Sequence, residues 1–340
     1  MKKFRHLLIP LAAVLALFLS AAVPEAASTA VLKQTQTTSN STVIQWSNLY
    51  KETKTSKVQS YRVTWGTDKN NQYGNSGDLV PKTRKYQITG LNSNSHYFVQ
   101  VYYTVKTEPA ASPTTPAGTT PTPTPTPTPA KITTYVRGLT IYTAPGKVTN
   151  IGDYDYLYTQ TGFEIYWSKP DGNNQNYYQY EIYSRNGKRL MSGTLNNRTL
   201  YLASFAYHQN ITRFRVRALF RHPSTGAVLT GEWSNYKALI PQPILKLDTS
   251  KYSISEKGKL MIAWNRIKGA TKYYVYASTK PTKDFKKIGT VKQKSKKTIG
   301  ISLKKDFKLN KVYYIKVVTV VKGSGKSDGR YFLSIWRYNY

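Results

Sequence analysis

Residues 41–47 read Ser-Thr-Val-Ile-Gln-Trp-Ser, and this stretch decides the fold. In an extended chain successive side chains point to opposite faces, so Ile44 and Trp46 share one face and Gln45 takes the other. The same Ile-x-Trp pattern returns at Ile165 and Trp167, and again at Ile262 and Trp264. Three copies of a period-2 pattern predict three strands, each setting an isoleucine and a tryptophan into a core.

Further along each copy, an aromatic residue stands two before a β-branched one: Tyr61 and Val63, Tyr180 and Ile182, Tyr273 and Val275. They follow the tryptophans by 15, 13 and 9 residues, the reach of a loop between neighbouring strands. A longer alternation closes each copy: Tyr97-x-Val99-x-Val101, Thr212-x-Phe214-x-Val216-x-Ala218 and Tyr313-x-Ile315-x-Val317. No stretch sustains a helical period. The pattern predicts an all-β chain of antiparallel sandwiches in tandem.

The order of these markers resembles the fibronectin type III family, an immunoglobulin-like β-sandwich. The resemblance implies a corner in which a tyrosine hydroxyl bonds back to the backbone near a turn. Leu91 and Tyr97 supply it in the first copy, and Tyr313 in the third. The second copy has Thr212 at the matching place, which puts its corner bond in doubt. Its ending, Gly231-Glu232-Trp233-Ser234, resembles the last strand of many such domains, and the third copy resembles lysine-rich versions in secreted bacterial proteins. These motifs name a fold rather than an activity. Trp46, Trp167, Trp264, Tyr97 and Tyr313 are therefore expected as structural core.

From Pro109 to Ala130 the chain is almost wholly Pro, Thr and Ala. Alternating proline fixes φ and removes donors, so polyproline II is the expected conformation. The expected organisation is a signal peptide at 1–27, a first domain at 28–108, a stiff linker at 109–130, a second domain at 131–243 and a lysine-rich third at 244–340. In that arrangement the linker holds its neighbours apart.

The N-terminus carries Lys2, Lys3 and Arg5 before an apolar run of 13 residues, Leu7–Leu19, shorter than the roughly 20 that span a bilayer. A cleaved secretory signal is expected, with cutting after Ala22, Ala26 or Ala27; a retained anchor is the alternative. No later stretch is long and apolar enough for a transmembrane span. The expected location is extracellular, with attachment to a cell wall by charge. The chain has no cysteine, which excludes a disulfide framework and thiolate metal sites.

The formal charge is +34, and residues 246–340 hold 24 Lys/Arg against 5 Asp/Glu, a net +19. Such a field draws polyanions without specifying which one. Lys286, Lys287, Lys292, Lys294, Lys296 and Lys297 are the candidate contacts, for teichoic acid, an acidic glycan, anionic lipid headgroups or extracellular nucleic acid. Sequence-specific nucleic acid reading is not expected, because no recognition helix is visible. Asn174, Asn176, Tyr177 and Tyr178 form a candidate recognition loop, since amides beside flat rings suit hydroxyl-rich ligands. The alternative for that stretch is a polar turn entering a tyrosine-rich sheet.

Catalytic signatures are absent from the sequence. His96, His208 and His222 have no zinc spacing, Asp153 and Asp155 are a thin calcium pair, and there is no phosphate loop. No cofactor is expected. Three roles remain open: a binding and spacing protein at a bacterial surface, a soluble ligand of a host surface protein or matrix, and an accessory of secreted glycan-degrading machinery.

Overall fold

The computed structural model describes residues 30–109, 128–156, 162–203, 210–245, 259–293, 298–304, 307–308, 310–330 and 332–336. The expected signal segment lies outside them. The described chain is all strand and loop. The first module contains β1 (Val31–Thr37), β2 (Ser41–Ser47), β3 (Ser56–Gly66), β4 (Gln72–Leu79), β5 (Lys85–Thr89), β6 (His96–Thr107) and β7 (Lys131–Tyr142). β1-β2-β5 form one antiparallel sheet and β4-β3-β6-β7 the other. Alternation along β2 and β6 turns Ile44, Trp46, Tyr97, Val99 and Val101 inward, all between 0 and 4 % exposed. Their neighbours Gln45 and Gln100 stay toward solvent.

β7 corrects the expected domain boundary. It pairs with β6 along its whole length, from His96↔Tyr142 to Thr107↔Lys131. The strand expected to open the second domain therefore completes the first. Ile141 sits in the first core, and the Gln34 side chain locks the sandwich edge by donating to Tyr142 O at 2.6 Å and accepting from Tyr142 N at 3.1 Å. The Pro-Thr tract leaves at Thr107 and returns at its ladder partner Lys131, so it is a hairpin connection within one sheet. It cannot act as the expected rod between two domains, because its two ends are neighbours. Residues 110–127 lie outside the described residues.

The second module contains β8 (Gly152–Tyr156), β9 (Gly162–Tyr166), β10 (Tyr177–Ser184), β11 (Arg189–Leu195), β12 (Thr199–Ala203), β13 (Thr212–Arg221), β14 (Val228–Thr230) and β15 (Lys237–Leu239). The third contains β16 (Lys259–Asn265), β17 (Lys272–Ser278), β18 (Lys286–Lys292), β19 (Thr298–Lys304), β20 (Val312–Val321), β21 (Gly325–Lys326) and β22 (Leu333–Trp336). Both repeat the two-sheet plan. β12-β9-β8 face β11-β10-β13, with β14 and β15 beside β13; β16-β19 face β18-β17-β20, with β21 and β22 beside β20.

Each tryptophan packs against a tyrosine of the neighbouring sheet: Trp46 with Tyr61 at 5.4 Å, Trp167 with Tyr178 at 5.4 Å, Trp264 with Tyr273 at 5.2 Å between ring centroids. In the second module the partner is Tyr178, two residues before the strand marker Tyr180. The corner bonds form where a tyrosine is present: Asn92 N donates to Tyr97 Oη and Lys308 N to Tyr313 Oη, each at 2.7 Å. At Thr212 the hydroxyl is buried with no partner, so the second module lacks the bond.

The modules touch at both junctions. Asn94, fully buried at the end of module one, donates through its side-chain amide to Asn174 O at 3.3 Å, and its backbone carbonyl accepts from Asn174 N at 3.0 Å. Between the second and third modules, Ile211 and Ile240 join the third core, and Thr319 Oγ1 donates to Pro241 O at 2.6 Å.

Candidate functional site

β17, β18 and β20 turn alternate residues outward, and in the third module that face is built of lysines and rings. The Tyr274 ring lies between two ammonium groups, Lys287 at 4.7 Å and Lys272 at 5.1 Å. Lys272 stands opposite Lys292 in the β17–β18 ladder, which adds a further exposed cation at that edge. Lys316 lies 4.0 Å from the Phe285 ring and 5.8 Å from Tyr276. Ammonium over an aromatic face is held by the ring quadrupole and keeps its charge for a partner.

The electrostatics follow from this crowding. A hydrogen bond to Lys272, together with the charges of Lys272, Lys287 and Lys326, holds the Tyr274 phenol below its ordinary pKa, outweighing the upward push of desolvation. Burial pushes the Lys316 ammonium down, with Asp328 opposing and Lys326 assisting. Burial pushes the Asp328 carboxyl up.

Of the lysines singled out in the sequence, Lys286, Lys287 and Lys292 lie exposed on β18, and Lys294, Lys296 and Lys297 fall outside the described residues. Sequence reasoning missed Lys272, Lys316 and Lys326. The available signal was alternation: Lys272-x-Tyr274-x-Tyr276 and Tyr314-x-Lys316 are the residues between the core positions, and weight was given to lysine density instead.

The equivalent face of the second module is also cationic, and it was likewise missed. Arg215 lies 4.4 Å and Arg217 4.5 Å from the Trp233 ring, while Arg213 lies 5.5 Å from Tyr236. Ser234 fixes the Trp233 segment on β13, accepting from Val216 N at 3.0 Å. Glu181, 6 % exposed, accepts from Arg215 Nε at 2.7 Å, from Arg189 at 3.2 Å and from the Tyr183 hydroxyl at 2.7 Å. Burial pushes the Glu181 carboxyl up, and those three hydrogen bonds outweigh it, so its pKa lies below the ordinary value.

The candidate recognition loop is divided by the fold. Tyr177 and Tyr178 are on β10, and Tyr178 is a core residue at 3 % exposure. Asn174 meets the first module through its backbone N and O and is 6 % exposed, its side-chain amide nitrogen buried without a partner. Asn176 lines a cleft of about 770 Å³ at this end of the module, with Asn173, Gln175, Asn197, Arg198 and Trp167 among its walls.

Of the titratable groups weighed for chemistry, Asp153 pairs with Lys237 at 2.8 Å, and His222 Nδ1 accepts from two backbone amides of its own turn. His208 lies outside the described residues. Among the described residues no three His, Cys, Asp or Glu side chains gather to hold a metal, and no helix is long and apolar enough to cross a membrane.

The profile of the family described as Fibronectin type III domain matches residues 29–117. The match ends inside the Pro-Thr tract, short of β7. Among solved structures, the chain is similar to the crystal structure of the chicken CNTN1 FN1–FN3 domains, at 13 % identity and a TM-score of 0.30, covering 91 % of this chain and 97 % of that one. It is similar also to a two-domain fibronectin type III segment of chicken tenascin, at 11 % identity and a TM-score of 0.27, covering 62 % and 95 %. No curated protein matches.

Proposed function

We propose that this chain, whose residues 29–117 match the profile described as Fibronectin type III domain, is an exported, non-catalytic binding protein whose third module grips a polyanion of the cell envelope. The supporting observation is the approach of Lys272 and Lys287 to the single Tyr274 ring, with Lys326 adding to the positive field that lowers its phenol pKa. Those cations lie on the outward face of a rigid sheet. Their like-charge repulsion is relieved by an anion, which is the condition for favourable capture. A repeating phosphate or carboxylate chain of teichoic or acidic-glycan type suits a face that extends across three strands. Attachment is then electrostatic, and it weakens steeply with salt.

The spacing role is carried differently from the sequence expectation. Projection comes from the stacked modules with their buried junctions, while the Pro-Thr tract is a loop carried by the first module.

The test is retention of the full chain on immobilised poly(glycerol phosphate) across a salt gradient. The Lys272→Gln/Lys287→Gln/Lys326→Gln variant is expected to elute earlier, with the log–log salt slope reduced by about 2, since each lost contact removes roughly 0.7–0.9 of a released counterion. An unchanged slope in that variant, or no retention of the parent protein at low salt, overturns the proposal.

A further inference from the structure

We propose that the cleft at the β9–β10 end of the second module is a saccharide-binding site for a neutral oligosaccharide, separate from the lysine face of the third. Its volume, about 770 Å³, suits one to a few sugar rings. Its walls carry amides on two loops, Asn173, Gln175 and Asn176 from the β9–β10 connection and Asn196 and Asn197 from the β11–β12 connection. An amide offers a donor and an acceptor side by side, the complement of neighbouring hydroxyls on a pyranose. No carboxylate lines the cleft, whose walls also include Lys169, Arg198 and Thr199.

A second observation points to a ligand. Both polar atoms of the Asn176 amide are buried, and neither has a hydrogen-bond partner. Buried polar groups are almost always satisfied, so an amide orphaned at both ends in the wall of a cleft marks a place where partners arrive from outside. A saccharide hydroxyl supplies both functions that Asn176 lacks.

The β9–β10 connection is also held ready. Gly172 has φ +105°, and a Cβ there would lie 2.3 Å from the Ser93 carbonyl oxygen of the first module. Two residues on, Asn174 exchanges hydrogen bonds with Asn94. The loop is thus pinned to the first module through Gly172 and Asn174, while Asn173, Gln175 and Asn176 are left to the cleft. Rigid amides lose little freedom on binding. Asn94 and Gly172 act as positioning residues, reaching the ligand through the loop.

The experiment uses the full chain at about 0.5 M NaCl, where the Debye length is a few ångströms and the lysine face is silenced. Cellohexaose, chitohexaose and maltohexaose are titrated by calorimetry. At least one is expected to bind, with Asn176→Ala weakening it about tenfold or more, as expected when a buried hydrogen-bonding group is lost. The melting temperature of Asn176→Ala is expected to hold or rise, because the orphaned amide contributes nothing to the empty protein. Gly172→Ala, which disturbs the loop without touching the cleft, is expected to weaken the same sugar. Failure of all three sugars to bind at millimolar concentration, or binding untouched by Asn176→Ala, overturns the proposal. Binding abolished by the triple lysine variant assigns the sugar to the third module and overturns it equally. Loss of poly(glycerol phosphate) retention alone bears only on the lysine face.

Discussion

The outward faces of the second and third modules occupy corresponding ladder positions, and the contrast between them centres on one pair. In the second module Glu181 stands opposite Arg215; in the third, Tyr276 stands opposite Lys316. Counted from the tyrosine that packs on each tryptophan, Glu181 and Tyr276 occupy the same place. A carboxylate there turns a row of arginines into a closed network: Arg189 and Arg215 are paired, and Arg215 and Arg217 are stacked on Trp233. A ring there leaves the ammonium groups resting on aromatic faces with their charge uncommitted. Two faces of similar cation count therefore differ in availability. Guanidinium groups fork and stack and so build structure, whereas ammonium groups on flexible stems remain free to meet a partner.

The largest test of this contrast is Glu181→Ala. It leaves the partly exposed Arg215 and the exposed Arg189 without their carboxylate, and is expected to cost about 2–3 kcal/mol in chemical denaturation. The pH dependence has a definite sign. A carboxyl whose folded pKa lies below its ordinary 4.5 contributes stability that is fully present above pH 4.5 and is lost as pH falls through the lower folded value. Acid titration of the parent should show that loss, and Glu181→Gln should flatten it.

Next in size is the corner. Tyr97→Phe strips the partner from Asn92 N and is expected to cost about 1–3 kcal/mol. Thr212→Val in the second module is expected to cost nothing or to stabilise slightly, since the hydroxyl it removes is already buried and unpaired. Equal costs at the two positions would show that the second module has a corner bond after all.

Smaller still is the excision of residues 110–129 in favour of a tight turn. Thr107 and Lys131 are already ladder partners, so shortening the loop is expected to stabilise the first module by about 1–2 kcal/mol of closure entropy. The maximum dimension measured by solution scattering should not fall by the length of an extended tract. Collapse of the first module, or a shortened particle, would restore the tract as a rod.

The smallest effect sharpens the comparison most. Tyr276→Glu transplants the second module's carboxylate into the third, opposite Lys316, and is expected to lower the salt slope of polyanion retention by about 1. If retention is unchanged, the difference between the faces does not lie at this position.

The core was legible residue by residue. Ile44, Trp46, Val99 and Val101 declare themselves by alternation, because burial on one face of a strand imposes a period that no other constraint mimics. So were the corner and its absence at Thr212, a purely local replacement. The site was less legible. Lysine density pointed to the right module, but the residues gathered around Tyr274 come from β17, β18 and β21, brought together by ladder register rather than by sequence distance. Asn174 and Asn176 read alike in the sequence; one is sealed in a junction through its backbone and the other lines a cleft.

Local pattern thus determined that this chain is all-β, three times repeated, strongly basic and without thiol chemistry. Tertiary structure alone decided where the first module ends. β7 reads equally well as the first strand of one sandwich or the last of another, because alternation states which face a strand buries and is silent about the edge it joins. That choice rests on twelve residues of pairing between β6 and β7. A ladder of that length outweighs the small entropic cost of closing the long loop that separates them.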